Sequence, residues 1–157
     1  MAMLFYTLYR LPVTVLRPTL AYGPGQDDDM FLPSLIRSLH KNQPFIMTPG
    51  EQTRDFLYID DLINAILHVP RYPLSRGNII NIGSGIPTKI LDVAYLVERL
   101  MNTKDLIRFG RIPYRNNEIM DYYVDLTKAE KILHWKPKIS LNEGLKRSIH
   151  YYREVLN

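Results

Sequence analysis

Arg54 and Arg115 are the side chains best suited to chemistry on an anionic ligand, because a planar guanidinium grips two phosphate oxygens through parallel hydrogen bonds. On spacing alone, Arg54 reads first as the partner of Asp55 or another neighbouring carboxylate, and Arg115 shares its stretch with Arg108 and Arg111. Asp27-Asp28-Asp29 suggests a metal, but hard cations need several oxygens converging from a shaped loop, and adjacent side chains diverge. The favourable field at the start of a following helix explains these acids better. His40, His68, His134 and His150 have no zinc-ligand spacing. Gly83-Ser84-Gly85 lacks the flanks of a GxSxG nucleophile elbow, which argues against a serine hydrolase.

The elements that must position these residues are legible in the hydrophobic pattern. Val13-Thr14-Val15-Leu16 and Ile79-Ile80-Asn81-Ile82 are short, β-branched, nearly continuous apolar runs, the signature of strands buried on both faces of a parallel sheet. Pro18 and Thr19 end the first run, where a doubly wound sheet opens its ligand crevice, although Pro18 serves equally to terminate the strand. Residues 30–41 carry Phe31, Leu35, Ile36 and Leu39 at helical spacing. Phe56 to Ile59 reads as a strand, followed by a helix through Leu62, Ile66 and Val69 that Asp60 would cap and Pro70 would stop. After the 83–85 turn, Thr88 is the predicted cap of a helix with Ile90, Val93, Leu96, Val97 and Leu100 on one stripe. Thr127 with Glu130, and Ser140 with Glu143, have capping-box spacing, and the second box opens a helix with Leu145, Ile149 and Tyr152 on one face. Alternating strands and helices predict α/β architecture. Two strands of buried character cannot make a stable sheet alone, so further strands are expected from another segment, a second chain or a symmetry mate.

Composition narrows the function classes. The 157 residues are 46% hydrophobic, enough for one modest domain. Cysteine is absent, which excludes a disulfide framework and agrees with cytoplasmic residence. The opening stretch, residues 1–11, has no basic head and no small-residue cleavage site, and no run approaches a membrane span. The net charge of +4 comes from basic residues scattered among acids, as in Glu130-Lys131 and Arg153-Glu154, so neither nucleic acid nor membrane is an expected partner.

Five ordered blocks nevertheless carry a specific resemblance. They are residues 16–26 (Leu16-Arg17-Pro18-Thr19-Leu20 into Tyr22-Gly23-Pro24-Gly25-Gln26), residues 50–61 around Arg54-Asp55-Phe56, Asn81-Ile82-Gly83-Ser84-Gly85, Arg115 with Glu118, and Asp125 through Trp135-Lys136-Pro137. In order and spacing this resembles the extended short-chain dehydrogenases acting on nucleotide sugars, the NAD-dependent epimerase/dehydratase family, and the likeness runs over nearly the whole chain.

The resemblance implies a partial doubly wound, Rossmann-like fold: the last strands of the parallel sheet plus a small substrate-binding α/β subdomain, with residues 1–157 as the carboxy-terminal half of the domain. It places Arg54 and Arg115 on a nucleotide diphosphate, Pro18 and Thr19 beside the nicotinamide of NAD or NADP, and Leu20 at the substrate. It also brings Leu32, Pro33 and Leu35 to the nucleotide base, although a core-facing helix side explains such residues more simply. Leu20 stands where many relatives carry an asparagine that reaches the substrate phosphate, and Asn116 and Asn117 replace the usual proline and glycine. Combined with Thr48-Pro49-Gly50-Glu51-Gln52, the departure at Leu20 points toward sugar ketoreductases or deoxysugar enzymes.

The family's amino-terminal half carries a Gly-rich cofactor turn and a catalytic Tyr followed four residues later by Lys. No tyrosine here has lysine at that spacing, and Tyr6 with Arg10 is the nearest imitation. Gly83-Ser84-Gly85-Ile86-Pro87-Thr88 has no third glycine and puts Pro87 where a helix amide is wanted, so a strand-to-helix turn is the expectation. By the family pattern Met1 falls just after the missing pair, inside its helix. The chain is therefore expected to be the substrate-binding half of a nucleotide-sugar epimerase, dehydratase or reductase, inactive alone. Its expected partners are the nucleotide-diphosphate sugar and the missing half or a second chain. The alternative is a non-catalytic module that dimerises through its exposed strands.

Overall fold

The computed structural model describes residues 1–156. Helix α1 (Ala2–Tyr9) leads into strands β1 (Val15–Pro18) and β2 (Leu20–Tyr22), helix α2 (Phe31–His40), and strands β3 (Phe45–Ile46) and β4 (Thr53–Tyr58). Helix α3 (Ile59–His68) and two single-turn 3-10 helices lead to β5 (Ile79–Ile82) and β6 (Pro87–Lys89). Helix α4 (Ile90–Leu100), β7 (Ile107–Arg108), α5 (Thr127–Leu133) and α6 (Leu141–Leu156) complete the chain. The arrangement is α/β and Rossmann-like, with parallel and mixed sheets flanked by helices.

Strands β1 and β5 pair in parallel, Val15 opposite Ile79 and Pro18 opposite Ile82, as their apolar character predicts. Strand β1 lies two residues beyond the apolar run at 13–16, because Pro18 does not interrupt this ladder. The chain stays extended past it, and Thr19 N donates to Ile82 O at 2.9 Å before β2 turns to pair with β4. Strand β4 begins at Thr53 rather than Phe56 and gives up Ile59 to α3. It is flanked by parallel β2 and antiparallel β6, so this sheet is mixed.

The larger core lies between the β2–β4–β6 sheet and helices α2, α4 and α6. Each helix meets it through an i, i+3, i+4, i+7 stripe: Leu32, Leu35, Ile36 and Leu39; Ile90, Val93, Ala94 and Val97; Leu145, Ser148, Ile149 and Tyr152. A smaller core joins Leu57, Ala65, Ile80, Ile82, Ala129, Leu133 and Trp135. Strand alternation serves both, since Phe56 and Tyr58 enter the larger core while Leu57 enters the smaller.

Three predicted caps are corrected. Tyr58, not Asp60, precedes α3, and no side chain caps it; Asp60 sits in the first turn. Thr88 lies in β6 and donates to Ile86 O, so Gly83-Ser84-Gly85 joins two strands rather than a strand and a helix. The amide of Thr127 is taken by Asp125 at 2.6 Å, because an aspartate two residues upstream closes a tighter ring than a reciprocal box. The second box forms in half: Ser140 Oγ accepts from Glu143 N at 3.2 Å, while Glu143 turns to Arg147.

One flank is bare. Helix α1 buries no residue and exposes Leu4, Phe5, Leu8 and Tyr9, and α3 exposes Ile63, Leu67 and Ile66, the last expected inside. Gly77 takes a positive φ of 74° directly under the Tyr6 ring, where any Cβ would collide, and so seats α1. Among the described residues, no helix is long and apolar enough to cross a membrane.

Candidate functional site

Residues 54 and 55 of β4 point to opposite faces of the strand, and each organises a different part of the molecule. On one face Arg54 Nη1 donates to Thr53 O and Ile119 O, both at 2.7 Å, and Nη2 pairs with Glu118. The neighbouring carboxylate weighed from the sequence is therefore Glu118, 64 positions away, not Asp55. Arg115 lies in the same cleft of about 210 Å³, with Asn117, Glu118, Ile119 and Tyr122. Arg115 makes no ion pair among the described residues, so two guanidiniums face one carboxylate and the cleft keeps an excess positive charge.

On the opposite face Asp55 is wholly buried. Its Oδ1 accepts from Ser84 N and Ser84 Oγ, both at 2.6 Å, and its Oδ2 accepts from Gly85 N at 3.0 Å and Val124 N at 3.4 Å. Gly83 passes so close that an added Cβ would lie 2.5 Å from Asp55 Oδ2 and 2.8 Å from Thr19 Cγ2 and Val124 Cγ2. The amides of Ser84 and Gly85 are therefore spent on an internal carboxylate, and the turn does not fit a cofactor pyrophosphate.

The other predicted residues divide. Pro18 is exposed at the end of β1, and beside it Thr19 is buried with its Oγ1 lacking a hydrogen-bond partner. That hydroxyl is closed to solvent, so a ligand at the exposed end of β1 would meet Pro18 first. Leu20 pairs with Phe56 and packs on the larger core. Leu32, Pro33 and Leu35 are buried on the inner side of α2, Leu35 at 0% exposure, which gives them a packing role. The structure brings the two arginines together and leaves Thr19 across the strand, at the Asp55 junction.

Around Tyr22-Gly23-Pro24-Gly25 the turn is fixed from several sides. Tyr22 Oη donates to Leu141 O at 3.3 Å, Gln26 Nε2 to Ala21 O at 3.3 Å, and Tyr152 Oη to Gln26 O at 3.1 Å. Burial, with Tyr58 and Asp61 adding like charge, pushes the Tyr22 phenol well above its ordinary value. Asp27 closes its own turn onto Asp29 N at 3.0 Å and Asp28 pairs with Arg37 at 2.5 Å, which accounts for the acidic run.

The importance of Asp55 was not read from the sequence. A signal existed: a carboxylate in the middle of a strand that is otherwise apolar after Arg54 must find donors if it is buried. Their positions, 29 and 69 residues downstream, carry no local signature.

Residues 4–83 match the model of the NAD dependent epimerase/dehydratase family. The chain is 33% identical over 152 residues to a UDP-glucuronate 4-epimerase of Thermodesulfobacterium geofontis, covering 96% of this chain and 46% of that protein. It is 35% identical over 133 residues to a CDP-abequose synthase of Salmonella typhimurium, covering 79% and 43%. Among solved structures, a UDP-glucose 4-epimerase of Thermotoga maritima with UDP-glucose superposes with a TM-score of 0.91 at 29% identity, over 98% of this chain and 50% of that one. A UDP-glucuronic acid 4-epimerase of Bacillus cereus in complex with UDP-glucuronic acid and NAD gives 0.89 at 28%, over 98% and 49%. The chain spans about half the length of the curated relatives it matches.

Proposed function

Because the chain belongs to the NAD dependent epimerase/dehydratase family, we propose that it supplies the sugar-nucleotide-holding part of such an enzyme. The observation that carries this reading is the convergence of Arg54 and Arg115 on one cleft with a single opposing carboxylate. A diphosphate needs that excess of guanidinium, and two planar forks orient it as well as hold it. Pro18 and Thr19 would border the nicotinamide of NAD or NADP, and Leu20 the sugar. Contact of a base with Leu32, Pro33 or Leu35 would require α2 to shift, since the fold buries all three.

Bound in the complete enzyme, the cofactor would exchange a hydride with a sugar carbon. This chain's part is to fix the sugar by its diphosphate. No Tyr-Lys pair stands in the sequence, and the Ser84 and Gly85 amides of the 83–85 turn are already taken by Asp55. The proton-transfer groups and the cofactor cradle are therefore assigned to another polypeptide segment, and the chain alone is expected to turn over no nucleotide sugar. The relatives named above differ in nucleotide, UDP or CDP, and in reaction, epimerase or synthase, so the class proposed is the nucleoside-diphosphate hexose.

Calorimetric titration of the chain with UDP-glucose, UDP and dTDP tests the reading. Saturable binding should be lost on Arg54→Ala and weakened on Arg115→Ala; absence of binding to any of them, or binding indifferent to both substitutions, refutes it. A second reading, assembly through the bare flank, is favoured by the exposed apolar residues of α1 and α3 and by β1, which has a single strand partner. A stable homodimer that ignores nucleotides would support that reading.

A further inference from the structure

We propose that Asp55 is the positioning residue of the arginine cleft, holding the segment that carries Glu118 and Ile119 at the distance Arg54 needs. The inference rests on the diphosphate reading for its functional meaning, but its geometry stands independently.

Residues 118–124 cross the beginning of β4 as an extended segment with no helix or ladder of their own. Three ties hold them there. On the Arg54 face, Ile119 O and Glu118 receive the guanidinium. At the strand itself, Thr53 N donates to Met120 O at 2.7 Å and Thr53 Oγ1 to Asp121 Oδ1 at 2.9 Å. On the far face, Val124 N donates to Asp55. The first two ties lie at exposed or half-buried positions, where water competes for the same groups. The third is longer, 3.4 Å, and starts from a half-buried amide, but it ends on a carboxylate with 0% exposure, so its loss would leave a buried acceptor short of a donor.

The same carboxylate collects both amides of the 84–85 turn and the Ser84 hydroxyl, and Gly83 leaves it no room to move. Asp55 is thereby immobile in its own right. A segment tied to an immobile buried anchor keeps its position relative to the strand bearing that anchor, and Arg54 is the adjacent residue of that strand. The link is mechanical: the side chain facing away from the cleft determines where the cleft's far wall stands. Thr19 touches the same junction, since its Cγ2 packs where a Cβ on Gly83 would fall, so the residue assigned to the cofactor side is braced by the same group.

Asp61 is an internal control. It is also buried, at 3% exposure, and also accepts two backbone amides, Lys138 N at 3.0 Å and Ile139 N at 2.8 Å, but it ties the 137–139 loop rather than the cleft wall. Asp55→Asn exchanges one acceptor oxygen for a donor and should raise amide hydrogen exchange at Ser84, Gly85 and residues 118–124 by roughly tenfold, with Asp61→Asn leaving those amides at the wild-type rate. At a temperature where both variants are fully folded, UDP affinity should fall roughly tenfold in Asp55→Asn and stay at the wild-type value in Asp61→Asn. Ser84→Ala removes one donor and keeps the carboxylate; it should show the same pattern at roughly threefold, and it decides the matter if Asp55→Asn does not fold.

Wild-type exchange at 118–124 in the Asp55 and Ser84 variants, or an equal rise there in Asp61→Asn, overturns the proposal. If the wild-type chain binds no UDP while Asp55→Asn still releases 118–124, the diphosphate reading fails and the positioning role stands.

Discussion

The two flanks of the molecule differ in how far they are finished. Around β2, β4 and β6, three helices bring complete apolar stripes, and Leu35, Ile36, Val93, Val97 and Leu145 have 0% exposure. Around β1, by contrast, α1 buries nothing, α3 leaves Ile63, Ile66 and Leu67 in solvent, and the sheet has two strands. The helices of the bare flank are more apolar in sequence than those of the finished one. What separates them is whether a second apolar surface lies within this chain to meet the first, since an apolar helix face is stabilised only by the area that covers it. The finished flank carries the arginine cleft on its sheet; the bare flank carries Pro18 and Thr19.

The comparison is most open to attack in the finished flank. Leu35→Ala should cost about 4 kcal/mol of global stability in urea unfolding, because the close-packed larger core cannot collapse around the void. A loss below about 1 kcal/mol would mean that this core is as loose as the other flank. Next in size, Gly77→Ala places a Cβ against the Tyr6 ring at a left-handed backbone position. It should cost about 2 kcal/mol locally. Limited proteolysis should then cut within α1 while the main unfolding transition stays in place; a shift of that transition would show the flanks to be one cooperative unit.

Alkali sharpens the contrast from the finished side. Burial raises the Tyr22 phenol in the folded chain, so above pH about 10 the unfolded state loses this proton first. The folded state binds more protons, and stability is constant below that pH and falls as pH rises, by about 1.4 kcal/mol per unit from this group. Denaturation midpoints between neutral and alkaline pH should show the decline, and Tyr22→Phe should flatten it. The smallest effect belongs to the bare flank. Leu8→Lys with Ile66→Lys should change stability by less than about 0.5 kcal/mol, because neither side chain is covered, while lowering self-association in sizing chromatography. A large loss would mean that the exposed residues already have a partner.

Much of this was legible in the chain. The stripes of α2, α4 and α6 were read nearly residue by residue, and the runs at 79–82 and around Val15 were recognised as strands. Arg54 and Arg115 stand out in the sequence as guanidiniums, while their sharing of one cleft is seen only in the fold. Caps fared worse: Asp60, Thr88 and Thr127 each had the right chemistry one or two positions from the residue that holds the cap position. Cap spacing depends on the entry angle of the preceding strand, which local composition does not carry. The antiparallel β6 was also missed, since a three-residue strand has too short a pattern to reveal direction.

Helical stripes, strand character, the order of the motif blocks and the lack of a Tyr-Lys pair were determined by the sequence itself, because each depends on residues within a few positions of one another. Tertiary structure alone decided that Arg54 meets Glu118, that Asp55 collects donors from residues 84, 85 and 124, and that the flank around β1 lies open. Those outcomes depend on which face of a strand meets which distant segment. A carboxylate's partners are chosen by where the fold excludes water, and that is a property of the packed chain rather than of any stretch of it.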